Sequence, residues 1–279
     1  MRDIFQGDAR PLSTAGLTAA ATALGIGDDC PLWALLAVET RGFGFLPDRR
    51  PQILFERHIF HNRTDGRFSA ANPDISNASS GGYAGGAMEY QRLKRAMVLD
   101  RKAALESASW GLGQVMGFNA TSLRYASVDA MIEAFMESED RQLDGSVRFI
   151  LSKPPLLHAL QNNEWTKVAF FYNGANFAAN NYHIRLDNAF KACGGAGRPD
   201  IQVRTAQAYL TFLGFNPKGV DGQLGPGTRA AIRAYRKRHN ERIGAERAGA
   251  VPLDTSTDEL DAPTSKALAA EIEAMIVAA

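Results

Sequence analysis

The stretch Pro31-Leu-Trp-Ala-Leu-Leu-Ala-Val-Glu-Thr-Arg-Gly-Phe-Gly-Phe45 constrains the chain most, because it puts a carboxylate where carboxylates are rare. Leu32, Leu35, Leu36 and Glu39 sit at i, i+3, i+4 and i+7, the buried stripe of an amphipathic helix. Glu39 falls on the apolar face near the helix C-terminus, and Gly42 and Gly44 end the helix. Burial and the negative end of the helix dipole both disfavour a charged carboxylate there. Such a group stays protonated near neutral pH and serves as a general acid. The alternative reading is a surface glutamate in a frayed last turn.

The rest of the chain is ordinary in composition. It has 279 residues, 45% hydrophobic and 22% charged, with a formal net charge of +1, so one large or two smaller globular domains are expected. That balance gives no reason to expect nucleic acid, and no Lys/Arg run marks a membrane patch. Residues 1–10 lack the apolar core of a signal peptide, and no run is long enough for a membrane span. Cys30 and Cys193 lie far apart, without metal-ligand spacing or a disulfide framework. The expectation is two free thiols in a protein made in the cytoplasm.

Along the chain, residues 11–27 read as a helix closed by Gly25 and Gly27, and Asp28 or Asp29 caps the next one. Ile53 to Phe60 has strand length. Glu56 lies inside it and needs either a task or a salt bridge to an Arg such as Arg57. His58 and His61 are one helical turn apart, but no further ligand has useful spacing, and no metal is expected. Residues 62–86 form a long Gly/Ser/Asn-rich loop in which Tyr83 either faces a ligand or lies across the surface. A helical pattern covers 87–107. Next, Ala108 to Phe118 mixes apolar residues, glycines and Gln114, where glycine permits close approach to a substrate or to another element. Residues 127–151 are helical, with Glu137, Glu139 and Asp140 expected on a solvated face. Another helix starts at Leu156, and a stripe of Trp165, Val168, Ala169 and Tyr172 stops at Asn173-Gly174. Ala192 to Pro199 has linker composition, and three helices follow: one from Ile201, one over about 228–239 and one after a polar loop ending at Pro263.

Three segments in one order carry a resemblance. Glu39 in Ala-Val-Glu-Thr-Arg-Gly-Phe-Gly, then Ser109-Trp-Gly-Leu-Gly-Gln114, then Ala169-Phe-Phe-Tyr-Asn-Gly174 resemble the signature segments of the lysozyme-like superfamily. Ile53 to His61 and Ala104 to Gly117 further resemble the N-acetylmuramidase family of bacteriophage endolysins, over residues 10–190. Val203, Gln207, Leu210 and Leu213 with Asp221-Gly-Gln-Leu-Gly225, Thr228, Ala231-Ile232 and Tyr235 resemble the three-helix peptidoglycan-binding module. Two features depart from it: Tyr235-Arg236 where the family often has Phe-Gln, and a longer loop at 240–262.

The resemblance implies a mainly α protein with two parts. Residues 1–195 form a lysozyme-like α+β catalytic domain with a small β element, and residues 200–279 form a three-helix wall-binding domain. It implies cleavage of the β-1,4 bond between N-acetylmuramic acid and N-acetylglucosamine, with Glu39 as acid. Glu56 is the first choice for a second carboxylate and Asp48, nine residues after Glu39, the second. Tyr83, Gln114, Tyr172 and Asn173 are the candidate sugar contacts, each with a core-packing alternative. No cofactor or metal is implied. Peptidoglycan glycan strands are the expected partner, for a monomer made in a host cytoplasm and acting on periplasmic wall. A lytic transglycosylase, or a non-catalytic wall binder on the same scaffold, is the competing reading.

Overall fold

The computed structural model describes residues 3–40, 42–246 and 252–278. Met1, Arg2, Arg41 of the first motif and residues 247–251 of the expected long loop lie outside the described residues. Helix α1, Thr14–Leu24, is capped by the Ser13 side chain and closed by Gly25 at φ 63°. Helix α2, Cys30–Thr40, starts where the Asp28 carboxylate accepts the Cys30 N–H. The expected amphipathic stripe is only part of α2: Ala37 is its one exposed residue, so it is a core helix.

The strand expected over 53–60 is shorter. β1, Ile53–Phe55, ends at Glu56, which becomes the N-cap residue of helix α3, Arg57–Arg63. A helix here buries Phe60 while Arg57, His58 and Asn62 stay at least partly exposed, a pattern that strand alternation would not satisfy. The helical pattern over 87–107 splits at Asp100 into α4, Glu89–Leu99, and α5, Arg101–Glu106, with the Asp100 side chain capping the second. β2, Ala108–Trp110, and β3, Val115–Met116, complete a three-stranded antiparallel sheet in the order β1-β2-β3, with Ile53 opposite Trp110 and Phe55 opposite Ala108. Ser138 divides the next helical stretch into α6, Val128–Glu137, and α7, Glu139–Leu151. Then come α8, Pro154–Gln161, α9, Trp165–Asn173, and α10, Tyr182–Gly194.

Two apolar cores result. One gathers α1, α2 and α7–α10. The other gathers the sheet with α3–α6, and Phe149 of α7 packs against both. The end of α2 meets the sheet region where Thr40 Oγ donates to the Leu112 carbonyl at 3.0 Å. Helix α10 lies along α2.

One expectation about α10 is overturned. Cys30 and Cys193 are not free thiols: they form a disulfide across 163 residues, joining the start of α2 to the end of α10. Spacing in sequence is silent about a pair that only the return of α10 brings together. The same bond explains why Asp29, Cys30 and Cys193 cluster like metal ligands.

After Gly194 the chain makes α11, Ile201–Phe212, α12, Pro226–Glu246, and α13, Ala262–Val277, around their own core. The Asp-Gly-x-Leu-Gly-x-x-Thr motif proves to be scaffolding. Buried Gln207 donates to Asp221, to the Gln223 carbonyl and to Thr228, and accepts the Gly222 N–H. Arg236, in the position where the module departs from its family, is fully buried and binds Thr264 and the carbonyls of Thr257 and Glu259. It therefore fastens the segment before α13 to α12.

Candidate active site

Glu39 sits in the last turn of α2. Its side chain is enclosed on nearly all sides but keeps a partial opening to solvent. The Tyr182 hydroxyl, from the first turn of α10, donates to Glu39 Oε1. Arg185, one turn further, donates to the Val38 carbonyl at 3.0 Å and brings its charge near the acid. Burial pushes the Glu39 carboxyl up to about 7, while the Tyr182 hydrogen bond and the Arg185 charge hold it below what burial alone would give. Neutral and charged forms therefore coexist near physiological pH, the condition for proton transfer in either direction. The Tyr182 hydrogen bond favours the carboxylate, so in Y182F the Glu39 titration is expected to move up by roughly half to one pH unit. Carboxyl-carbon NMR reads that shift. A downward shift would contradict the assigned geometry.

Tyr172, at the end of α9, faces the same region. Its hydroxyl donates to the Gly113 carbonyl at 2.8 Å, and burial followed by the Glu39 charge pushes its pKa well above the usual tyrosine range. Asn173 is exposed beside it. Gln114 is turned inward. Its amide donates to the Gly111 carbonyl at 2.9 Å and accepts from Ser109 at 2.8 Å, which makes it a brace of the β2–β3 turn. The glycines of that turn allow close approach to another element: a Cβ at Gly113 would lie 1.9 Å from Ser146 Oγ of α7, and one at Gly111 2.6 Å from the Gln142 side chain.

Glu56 lies at the opposite end of β1 from the Gln52–Gly111 contact that borders this turn. Among the described residues it pairs with neither Arg57 nor another Arg. Tyr83 donates to it at 2.9 Å, and His58 Nδ1 stands 3.2 Å away. Burial and the Glu56 charge push the Tyr83 hydroxyl up to about 12. His61 instead contacts Ser69 at 2.7 Å. The pairing of Glu56 with Tyr83 is held from behind by Glu89, a fully buried carboxylate that accepts the N–H groups of Phe55, Ala84 and Gly85 and pairs with Arg92 at 2.7 Å. Asp48 occupies a tight turn and is ion-paired with Arg50 at 2.7 Å, its side chain 46% exposed.

Glu139 corrects a sequence expectation. It is on no solvated face but fully buried, and it accepts the N–H groups of Leu12 and Gly44, both at 2.8 Å. Asp140 serves the same corner by accepting from the Ser13 N–H and hydroxyl; Glu137 alone is exposed as expected. These two N–H groups, both far away in sequence, help to compensate the burial of Glu139, and helical periodicity does not reveal such partners. Tyr182 and Arg185 were also not apparent in sequence. Their one signal is the buried face of α10, where Tyr182, Leu186 and Cys193 recur at helical spacing.

Comparison with known proteins places the chain in a family. The sequence model of the N-acetylmuramidase family matches residues 30–194, and that of a putative peptidoglycan-binding domain matches residues 200–240. No curated protein matches the chain. Among solved structures, the chain is similar to the endolysin of Burkholderia phage AP3, 41% identical over 67% of this chain and 72% of that one, with a TM-score of 0.61. The family model spans more than half of the chain, from the helix that carries Glu39 to the end of α10, and the chain belongs to the N-acetylmuramidase family.

Proposed function

We propose that this peptidoglycan hydrolase cuts the β-1,4 bond between N-acetylmuramic acid and N-acetylglucosamine, in the lysis of a bacterial host by a phage. The observation that carries the reading is Glu39: enclosed, partly open, and half-protonated at about pH 7. Protonated Glu39 gives its proton to the glycosidic oxygen as the bond breaks, and positive charge develops on the sugar ring. Glu56 is the proposed second carboxylate, activating water or steadying that charge.

Tyr83, Tyr172 and Asn173 are proposed sugar contacts, Tyr83 also holding Glu56 in place. Gln114 contributes through the turn it braces. Residues 1–195 are the proposed catalytic domain and 200–279 the wall-binding domain, which raises the local concentration of enzyme on its substrate. Action in the periplasm suits the Cys30–Cys193 bond, since oxidising compartments preserve disulfides.

Two measurements test the reading. Mass spectrometry of digested sacculi should show reducing muramic ends. Anhydromuramic ends would instead indicate a transglycosylase, with the sugar's own hydroxyl as nucleophile and Glu39 as the sole acid. In parallel, E56Q should lose about 10²-fold in kcat. D48N, already neutralised by Arg50 on the surface, should stay within about threefold of wild type. The reverse ranking would move the second carboxylate to Asp48.

A further inference from the structure

Arg204 belongs to α11 of the wall-binding module, yet it is fully buried and its described guanidinium bonds all end in the catalytic part of the chain. Nη1 and Nη2 grip both Glu139 oxygens, at 2.6 and 2.7 Å. Nε donates to the Gly42 carbonyl at 3.1 Å, and Nη2 reaches the same oxygen. The guanidinium also lies 5.9 Å from the ring centre of Trp33, on the acid's own helix. Gly42 is the residue at which α2 closes: it has φ 83°, and its N–H returns to the Leu36 carbonyl at 3.1 Å. Glu139 in turn accepts the Gly44 N–H. The turn that follows Glu39 is therefore held at Gly42 and Gly44 by one buried ion pair, half of which the module supplies. Phe43 and Phe45 of the same turn pack on Phe212 and Val220 of the module.

We propose that Arg204 is a positioning residue for the acid: through Gly42 and Glu139 it fixes the turn on which the Glu39 helix ends, so that the module is part of the cutting site as well as its anchor. Without the guanidinium, Glu139 is left buried without a counter-charge and must turn away or take up a proton. Either change loosens Gly44, and Gly42 loses its carbonyl partner. The inference rests on Glu39 being the catalytic acid, and its test separates the two claims.

The full chain is compared with R204M and R204K. The substrate is a soluble tetrasaccharide of the peptidoglycan repeat, which needs no wall anchoring. In R204M, kcat is expected to fall about 10- to 100-fold with KM within about twofold of wild type. Pull-down on sacculi should be unchanged within about twofold, and the Gly44 amide should exchange with deuterium about 100-fold faster. R204K keeps the charge but cannot span both oxygens and the carbonyl, and should recover only part of the loss. Should R204M fail to fold, R204K decides on the same readings. A kcat within about twofold of wild type, or unchanged Gly44 exchange, overturns the proposal. If the wild type itself fails to turn over the tetrasaccharide, the hydrolase reading of Glu39 falls, and Gly44 exchange alone decides whether Arg204 holds the turn.

Discussion

E39Q is expected to clear a peptidoglycan suspension about 10³-fold more slowly than wild type, and to be the more stable protein above pH 7. The first effect follows from removing the proton that Glu39, as the proposed acid, gives to the glycosidic oxygen. The second follows from linkage. In the unfolded chain Glu39 titrates near its ordinary value of 4.5, and in the folded protein at about 7. Between those values the folded state binds more protons, so stability falls as pH rises through the window, and the whole cost is present above pH 7. That cost is roughly 3 kcal/mol at full burial. Glutamine carries no charge, keeps an oxygen for Tyr182, and avoids the cost. Calorimetry should find nearly equal Tm values at pH 4 and a Tm for E39Q several degrees higher at pH 8. Undiminished clearance, or an E39Q less stable at pH 8, would remove Glu39 from the centre of the site.

Loss of the Cys30–Cys193 bond should be the other large effect. The bond closes a loop spanning 163 residues of sequence separation, for which chain entropy gives about 5 kcal/mol of stabilisation. It also ties down α10, which carries Tyr182 and Arg185 to the acid. The C30A/C193A double variant should therefore unfold at markedly lower urea, and reduction of the wild type should do the same. A stability loss below about 1 kcal/mol would show that packing of α10 on α2 suffices alone.

The parts of the site that were legible in sequence are those whose cause is local. Glu39 was visible because a carboxylate on an apolar stripe is uncommon, and Tyr172 because its own stripe ends beside Asn173-Gly174. The three-helix module was visible in its apolar spacing and its Asp221 to Thr228 motif. What stayed hidden depends on long-range return of the chain. Glu139 looked like a surface acid because Arg204, its partner, lies 65 residues on. Tyr182 is 143 residues from Glu39. Glu56 was read within a strand although it marks a strand-to-helix junction, since three apolar residues are too few to fix a period. The glycines at 111 and 113 announced a close approach, and only the fold shows that α7 is what approaches.

The way Phe212 and Val220 seat against Phe43 and Phe45 bears on how a sacculus would be taken apart. A lysin whose two halves swing on a loose tether can keep one foothold and sever many strands within reach. Here that apolar contact sets the proposed foothold and blade at a fixed offset, so on the proposed function each cut would fall at one distance from the grip. On the proposed function, progress along the mesh would then require release of the grip.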